Sequence, residues 1–155
     1  MSERRDNVSV KESIKTVADF IITFVVYLLL SLGAHEMFHA EIARMLGYNA
    51  SASFPSWNSG YTVISPLPSS LLHKFLISVA GGGLVALFYF LIGLFTRDWE
   101  TGMIMKFFVP WQAVYALFEF GYMLGYIPLK FLGIVPFVLG AIIGFYFLFR
   151  SKRKV

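Results

Sequence analysis

The feature that most limits how this chain can fold is a run of thirty residues, 17–46, in which only Asp19, Glu36, Glu41 and Arg44 carry formal charge. It exceeds the roughly 20 residues a helix needs to cross the hydrocarbon of a bilayer. Three more apolar stretches follow at residues 70–95, 103–126 and 129–149. A chain of 155 residues that is 57% hydrophobic and 14% charged cannot bury four such segments inside a soluble core. The expected fold is therefore an all-α polytopic membrane protein, a single membrane-embedded domain over residues 1–155. Four transmembrane helices would be joined by short links, except for a longer polar segment at 48–69 between the first two.

The first apolar run is interrupted near its far end by His35-Glu36-Met37-Phe38-His39, an HExxH pattern. On a helix the two histidines fall one turn apart on one face, so both imidazoles can grip one Zn²⁺ while Glu36 reaches a water held there. No cysteine is present, so a metal must be held by histidine and carboxylate, and neither a disulfide framework nor a thiolate nucleophile is possible. The basic residues gather at the two ends, Arg4, Arg5, Lys11 and Lys15 at one and Arg150, Lys152, Arg153 and Lys154 at the other. Flanking apolar spans, they read as anchors beside anionic lipid; with no basic stripe or stacking platform, a nucleic-acid partner is not expected.

Residues 1–16 mix both charge signs and form a polar or amphipathic lead-in without the small-residue cleavage site of a signal peptide. Gly47 is a natural residue to end the first helix. The segment 48–69 turns abruptly to Ser, Asn, Pro, Gly and aromatics, with period-two alternation around 50–54 and 61–64. That predicts a β-hairpin or re-entrant loop turning near Asn58-Ser59-Gly60, with an interhelical surface loop as the alternative. Residues 96–101 read as a polar turn. Gly81-Gly82-Gly83 permits close backbone approach, against the helix that carries the HExxH or against a substrate, and the pairs Gly121/Gly125 and Gly140/Gly144 are GxxxG faces through which copies of the chain can assemble. Counting Lys and Arg on alternate sides gives ten against three in favour of both termini being cytoplasmic, in a multi-pass protein of the cell membrane.

A catalytic zinc takes three protein ligands and keeps one position open. Beyond His35 and His39 the candidates are His73, Glu41, Asp98, Glu100 and Glu119. At about 1.5 Å per residue, His35 and His39 stand roughly 22 to 30 Å up the first helix from Asp19, and Glu119 stands roughly 22 Å up the third. Asp98 and Glu100 sit at the opposite surface, and Glu41 faces away, where Arg44 can pair with it. Glu119, an ionisable group among Leu117, Phe118 and Phe120, is the preferred third ligand, and His73 is the runner-up. Tyr115, Gln112 and Tyr122 flank it at helical spacing.

His35-Glu36-Met37-Phe38-His39-Ala40, then Ala43-Arg44-Met45-Leu46-Gly47, a re-entrant stretch and Ala80-Gly81-Gly82-Gly83 together resemble the site-2 protease family of intramembrane zinc metalloproteases, over roughly residues 20–126. The resemblance implies a third zinc ligand in the third core helix, where the family has an Asp in an LDG motif and this chain has Phe118-Glu119-Phe120-Gly121. Two elements of the family pattern are missing. The Asn that usually closes the small-residue motif is replaced by apolar residues around Val85, and the Asn-Pro before the third ligand is absent. The family core places its site toward the cytosol, whereas the charge count places this HExxH toward the outer leaflet.

The expected function is a zinc-dependent intramembrane endopeptidase acting on a transmembrane or membrane-associated protein substrate. His35, His39 and Glu119 would hold Zn²⁺, and Glu36 would be the catalytic acid and base. Two alternatives stay open on sequence alone: a non-proteolytic membrane scaffold with a structural metal site, and a membrane hydrolase of lipid amides.

Overall fold

The computed structural model describes residues 2–57 and 59–151. Asn58 of the expected turn and Lys152, Arg153 and Lys154 of the basic tail lie outside the described residues. In chain order the elements are α1 (Ser2–Met45), β1 (Asn49–Ser56), β2 (Ser59–Ser65), α2 (Leu71–Phe95), α3 (Trp99–Met123), a 3-10 turn (Leu129–Phe131) and α4 (Ile134–Ser151). Three segments, Ile14–Met45, Leu71–Phe95 and Leu129–Phe147, are long and apolar enough to cross a membrane. The α3 helix equals α2 in length but carries Lys106, Gln112 and Glu119, and does not reach that composition.

The helix ends follow local chemistry and correct several sequence expectations. Helix α1 starts at Ser2 rather than residue 17, because the polar lead-in contains neither Gly nor Pro to stop a helix. Its other end is a Schellman motif: Gly47 adopts φ +87°, Tyr48 N–H donates to Ala43 O at 3.0 Å and Gly47 N–H to Arg44 O at 2.9 Å. Helix α3 starts at Trp99 rather than 103, since the Asp98 carboxylate accepts from Thr101 N–H at 2.8 Å and caps it; the polar turn shrinks to 96–98. The same helix stops at Met123 rather than 126, where Gly125 at φ +79° forms a second Schellman end and Ile127 folds back over Gly121. The last apolar stretch is split, with the 3-10 turn preceding α4.

The polar segment is an antiparallel hairpin, with Asn49 opposite Ser65, Ala50 opposite Ile64 and Ala52 opposite Thr62. Ala50, Ala52, Ser53, Gly60, Thr62 and Ile64 are its less exposed positions. Ala50, Ala52 and Ile64 pack against Ala40 and Ala43 of α1 and Ile77 of α2. Arg44 fixes the hairpin to the end of α1, donating from Nε to Ala50 O at 2.8 Å while its guanidinium pairs with Glu41, as the helical spacing predicts.

Val85, Tyr89, Ile104, Met105, Phe108 and Trp111 form the main core between α2 and α3. Phe24, Tyr27 and Leu28 of α1 pack against it, and Tyr89 ties α1 down by donating its hydroxyl proton to Tyr27 O at 2.6 Å, beside Ser31 Oγ at 2.8 Å. Gly82 lets α2 approach the α3 backbone at Gln112 and Ala116, and Gly140 and Gly144 do the same for α4 against Trp111 and Phe107. Gly121, Gly140 and Gly144 thus all serve contacts within one chain, and Gly125 ends a helix. The outer faces remain apolar, with Ile22, Val26 and Leu30 of α1 and Leu87, Phe88 and Leu91 of α2 exposed. Exposed apolar area on that scale suits lipid rather than water.

Candidate metal centre

The HExxH lies in the last third of α1, where its helical spacing turns both histidines inward; His35 and His39 are buried. Their Nε2 atoms are 3.0 Å apart. From the facing helix α3, Glu119 brings Oε1 to 2.9 Å from His35 Nε2 and 3.2 Å from His39 Nε2. Among the described residues, these three form a His/Asp/Glu group whose ligand atoms all lie within 4.8 Å, and they can hold a metal ion. The runner-up is elsewhere: His73 Nδ1 is 2.8 Å from the Tyr48 hydroxyl, with the two rings edge to face, so this pair joins the end of α1 to the start of α2.

The other ring nitrogens show why a cation fits. His35 Nδ1 donates to Gln112 Oε1 at 3.3 Å, and His39 Nδ1 donates to the Ile77 carbonyl. With each proton placed on Nδ1, neutral imidazoles present their Nε2 lone pairs inward, next to a carboxylate oxygen. Three acceptors around one point repel each other unless a cation lies between them. The second oxygen, Glu119 Oε2, is buried and has no hydrogen-bond partner among the described residues. The ring of Tyr115 covers His35 edge-on at 5.0 Å between centroids.

Helix α2 supplies the floor through an absent side chain. A Cβ on Gly81 would strike His39 Nε2 and come within 2.8 Å of His35 Nε2, so only glycine lets α2 pass beneath the two rings. The remaining glycines of the triplet serve other contacts, Gly82 against α3 and Gly83 beside Val79 of its own helix.

Glu36, half-buried, faces the hairpin. Thr62 Oγ1 on β2 contacts both its carboxylate, 2.8 Å from Oε2, and its main-chain carbonyl, at 2.9 Å. Gly60 approaches so closely that an added Cβ would lie 2.7 Å from Glu36 Cγ. Glu36, Gly60 and Tyr115 stand between two cavities. One, of about 470 Å³, is lined by His39, Glu119 and the apolar side chains of Ile64, Leu67, Leu129 and Leu132. The other, of about 230 Å³, is lined by Ser31, Ser59, His35 and Gln112.

Thr62 and the Ile77 carbonyl are not among the groups expected from the sequence; the close approach of the glycine triplet to the metal-binding helix is, but not that Gly81 is the residue beneath the rings. The period-two alternation around 61–64 was the available signal for Thr62, because it already set that residue on the face opposite its exposed neighbours Tyr61 and Val63. Compared with protein-family models, with curated proteins and with solved structures, the chain matches none.

Proposed function

We propose that the protein is a zinc-dependent intramembrane endopeptidase of the site-2 protease type, spanning the bilayer with four helices and cutting a transmembrane or membrane-adjacent segment of another protein. The observation that carries this reading is the convergence of His35 Nε2, His39 Nε2 and Glu119 Oε1 beside a glutamate held in a groove. His35, His39 and Glu119 would hold Zn²⁺, which when bound supplies Lewis acidity toward a carbonyl and lowers the pKa of water toward neutrality.

The chain's own groups supply the rest. Glu36 takes the proton from the attacking water and returns it to the leaving amine. Thr62 donates to Oε2 and so fixes the carboxylate; among the described residues Oε1 has no hydrogen-bond partner and is free for the proton. The apolar groove accommodates an apolar segment, and β2, which among the described residues pairs with β1 alone, offers its second edge to a substrate unwound into a strand. Unwinding is required because helical backbone groups are already hydrogen-bonded to one another.

The test compares wild type with Glu36→Gln, measuring zinc stoichiometry and cleavage of single-span substrates in the purified full chain. Zinc retained and cleavage lost in the variant is the expected result. Equal cleavage by both proteins would overturn the peptidase reading, and a lipid-amide product lost in the variant without any peptide product would favour lipid hydrolysis.

A further inference from the structure

A further cavity opens at the other end of α3 from the metal centre. About 730 Å³ in volume, it is bounded by the end of α2, the start of α3 and Phe147 of α4. That size falls in the range of about 300–1,000 Å³ typical of small-molecule pockets. Twenty residues of α3 separate Trp99 at its mouth from Glu119, a distance of about 30 Å along the helix. At its inner end Pro110 adjoins Trp111 of the smaller cavity beside His35, but the two cavities share no lining residue.

The composition of its wall is divided. Phe90, Leu94, Val109 and Phe147 make it apolar, while two cations line it: Arg97 at the mouth and Lys106, about 10 Å further along α3 than Trp99. Neither cation has an ion-pair partner among the described residues, where the one arginine or lysine paired with a carboxylate is Arg44, with Glu41. The carboxylate beside them, Asp98, is engaged as the cap of α3. Trp99 is 59% exposed at the mouth, as a residue at the level of lipid headgroups would be. An unpaired lysine beside an apolar wall inside the bilayer is costly, and its long stem lets the ammonium reach up to a phosphate at the interface.

We propose that this groove binds one anionic phospholipid, with an acyl chain along Phe90, Leu94, Val109 and Phe147 and its phosphate held by Arg97 and Lys106. The inference rests on the chain being embedded in a bilayer and is independent of whether it cleaves peptides. A headgroup phosphate, rather than a free one, is the source because the cations border a wall made for hydrocarbon.

The experiment is native mass spectrometry of the full chain released from detergent, titrated with phosphatidylglycerol or with phosphatidylcholine of the same acyl chains. One phosphatidylglycerol should be retained with about fivefold or greater preference, the effect of at least one basic residue near an anionic headgroup. The preference should fall as salt is raised on the wild type. Arg97→Gln combined with Lys106→Gln should bring the ratio near one with helical circular dichroism unchanged, and Val109→Trp should weaken retention of both lipids. Glycerol phosphate lacking acyl chains should not compete. A wild-type ratio near one, a preference undisturbed in the double variant, or equal competition by glycerol phosphate would each overturn the proposal.

Discussion

Replacing Gly81 by alanine isolates the geometry of the metal centre from its chemistry, because no ligand is removed. The added Cβ would strike His39 Nε2 and lie 2.6 Å from His39 Cε1 and 2.8 Å from His35 Nε2, where ordinary contact begins near 3.4 Å. The His35 ring must therefore withdraw by roughly 0.6 Å and the His39 ring by more than about 0.8 Å, several times the tolerance of about 0.2 Å in metal–ligand distances. They have little freedom to do so. His39 is held through Nδ1 to Ile77 O on the same helix that carries Gly81, and His35 through Nδ1 to Gln112. Alanine is otherwise the better helix residue, by about 0.5–1 kcal/mol, so a loss cannot be ascribed to weakening α2. The expected outcome is a 10- to 100-fold loss of zinc affinity, the range seen when ligand orientation is disturbed. The assay is zinc competition with a chromophoric chelator on the full chain in detergent, with Gly83→Ala as control because its Cβ meets only Val79 of its own helix. Zinc affinity of Gly81→Ala within about twofold of wild type would refute the reasoning.

Two further outcomes follow from the same centre. Glu119→Ala should reduce zinc retention far more than His73→Ala, since His73 is engaged with Tyr48; the reverse order in metal analysis of the purified variants would refute the ligand assignment. Thr62→Val keeps the shape of the strand but removes the donor to Glu36, and a hydrogen bond to a charged group is worth about 1.5–3 kcal/mol. Under the peptidase reading proposed above, peptide turnover should then drop by about tenfold or more while zinc stoichiometry stays at the wild-type value, and unchanged kcat would show that Thr62 does not position the carboxylate.

What could be read from the sequence was whatever depends on distance along a helix. His35 and His39 share a face by spacing alone, and a fixed rise per residue sets Glu119 at their height without knowing how the helices cross. The hairpin was legible because alternation and turn residues are local signals. What depends on crossing was not legible. Which of three consecutive glycines lies beneath the imidazoles follows from the rotation of α2 about its own axis, and that is set by Tyr89, Phe108 and the α3 backbone together. The Ile77 carbonyl is a main-chain atom and leaves no trace in side-chain identity. The start of α3 departs from the sequence expectation for a different reason: charged residues at 97, 98 and 100 suggest a surface turn, whereas Asp98 uses its charge to begin a helix.

The ligands also have a topological meaning. His35 and Glu119 are 84 residues apart in sequence, and His39 and Glu119 are 80 apart. An ion joining them therefore closes a loop containing more than half of the chain, with the whole hairpin and α2 inside it. A covalent link across a loop of about 100 residues restricts an unfolded chain by about 4.7 kcal/mol in the loop-entropy model, and a metal bridge acts on the same degrees of freedom. A metal held there would thus also be a removable cross-link, and its chelation would return to the unfolded ensemble the freedom of its largest ring.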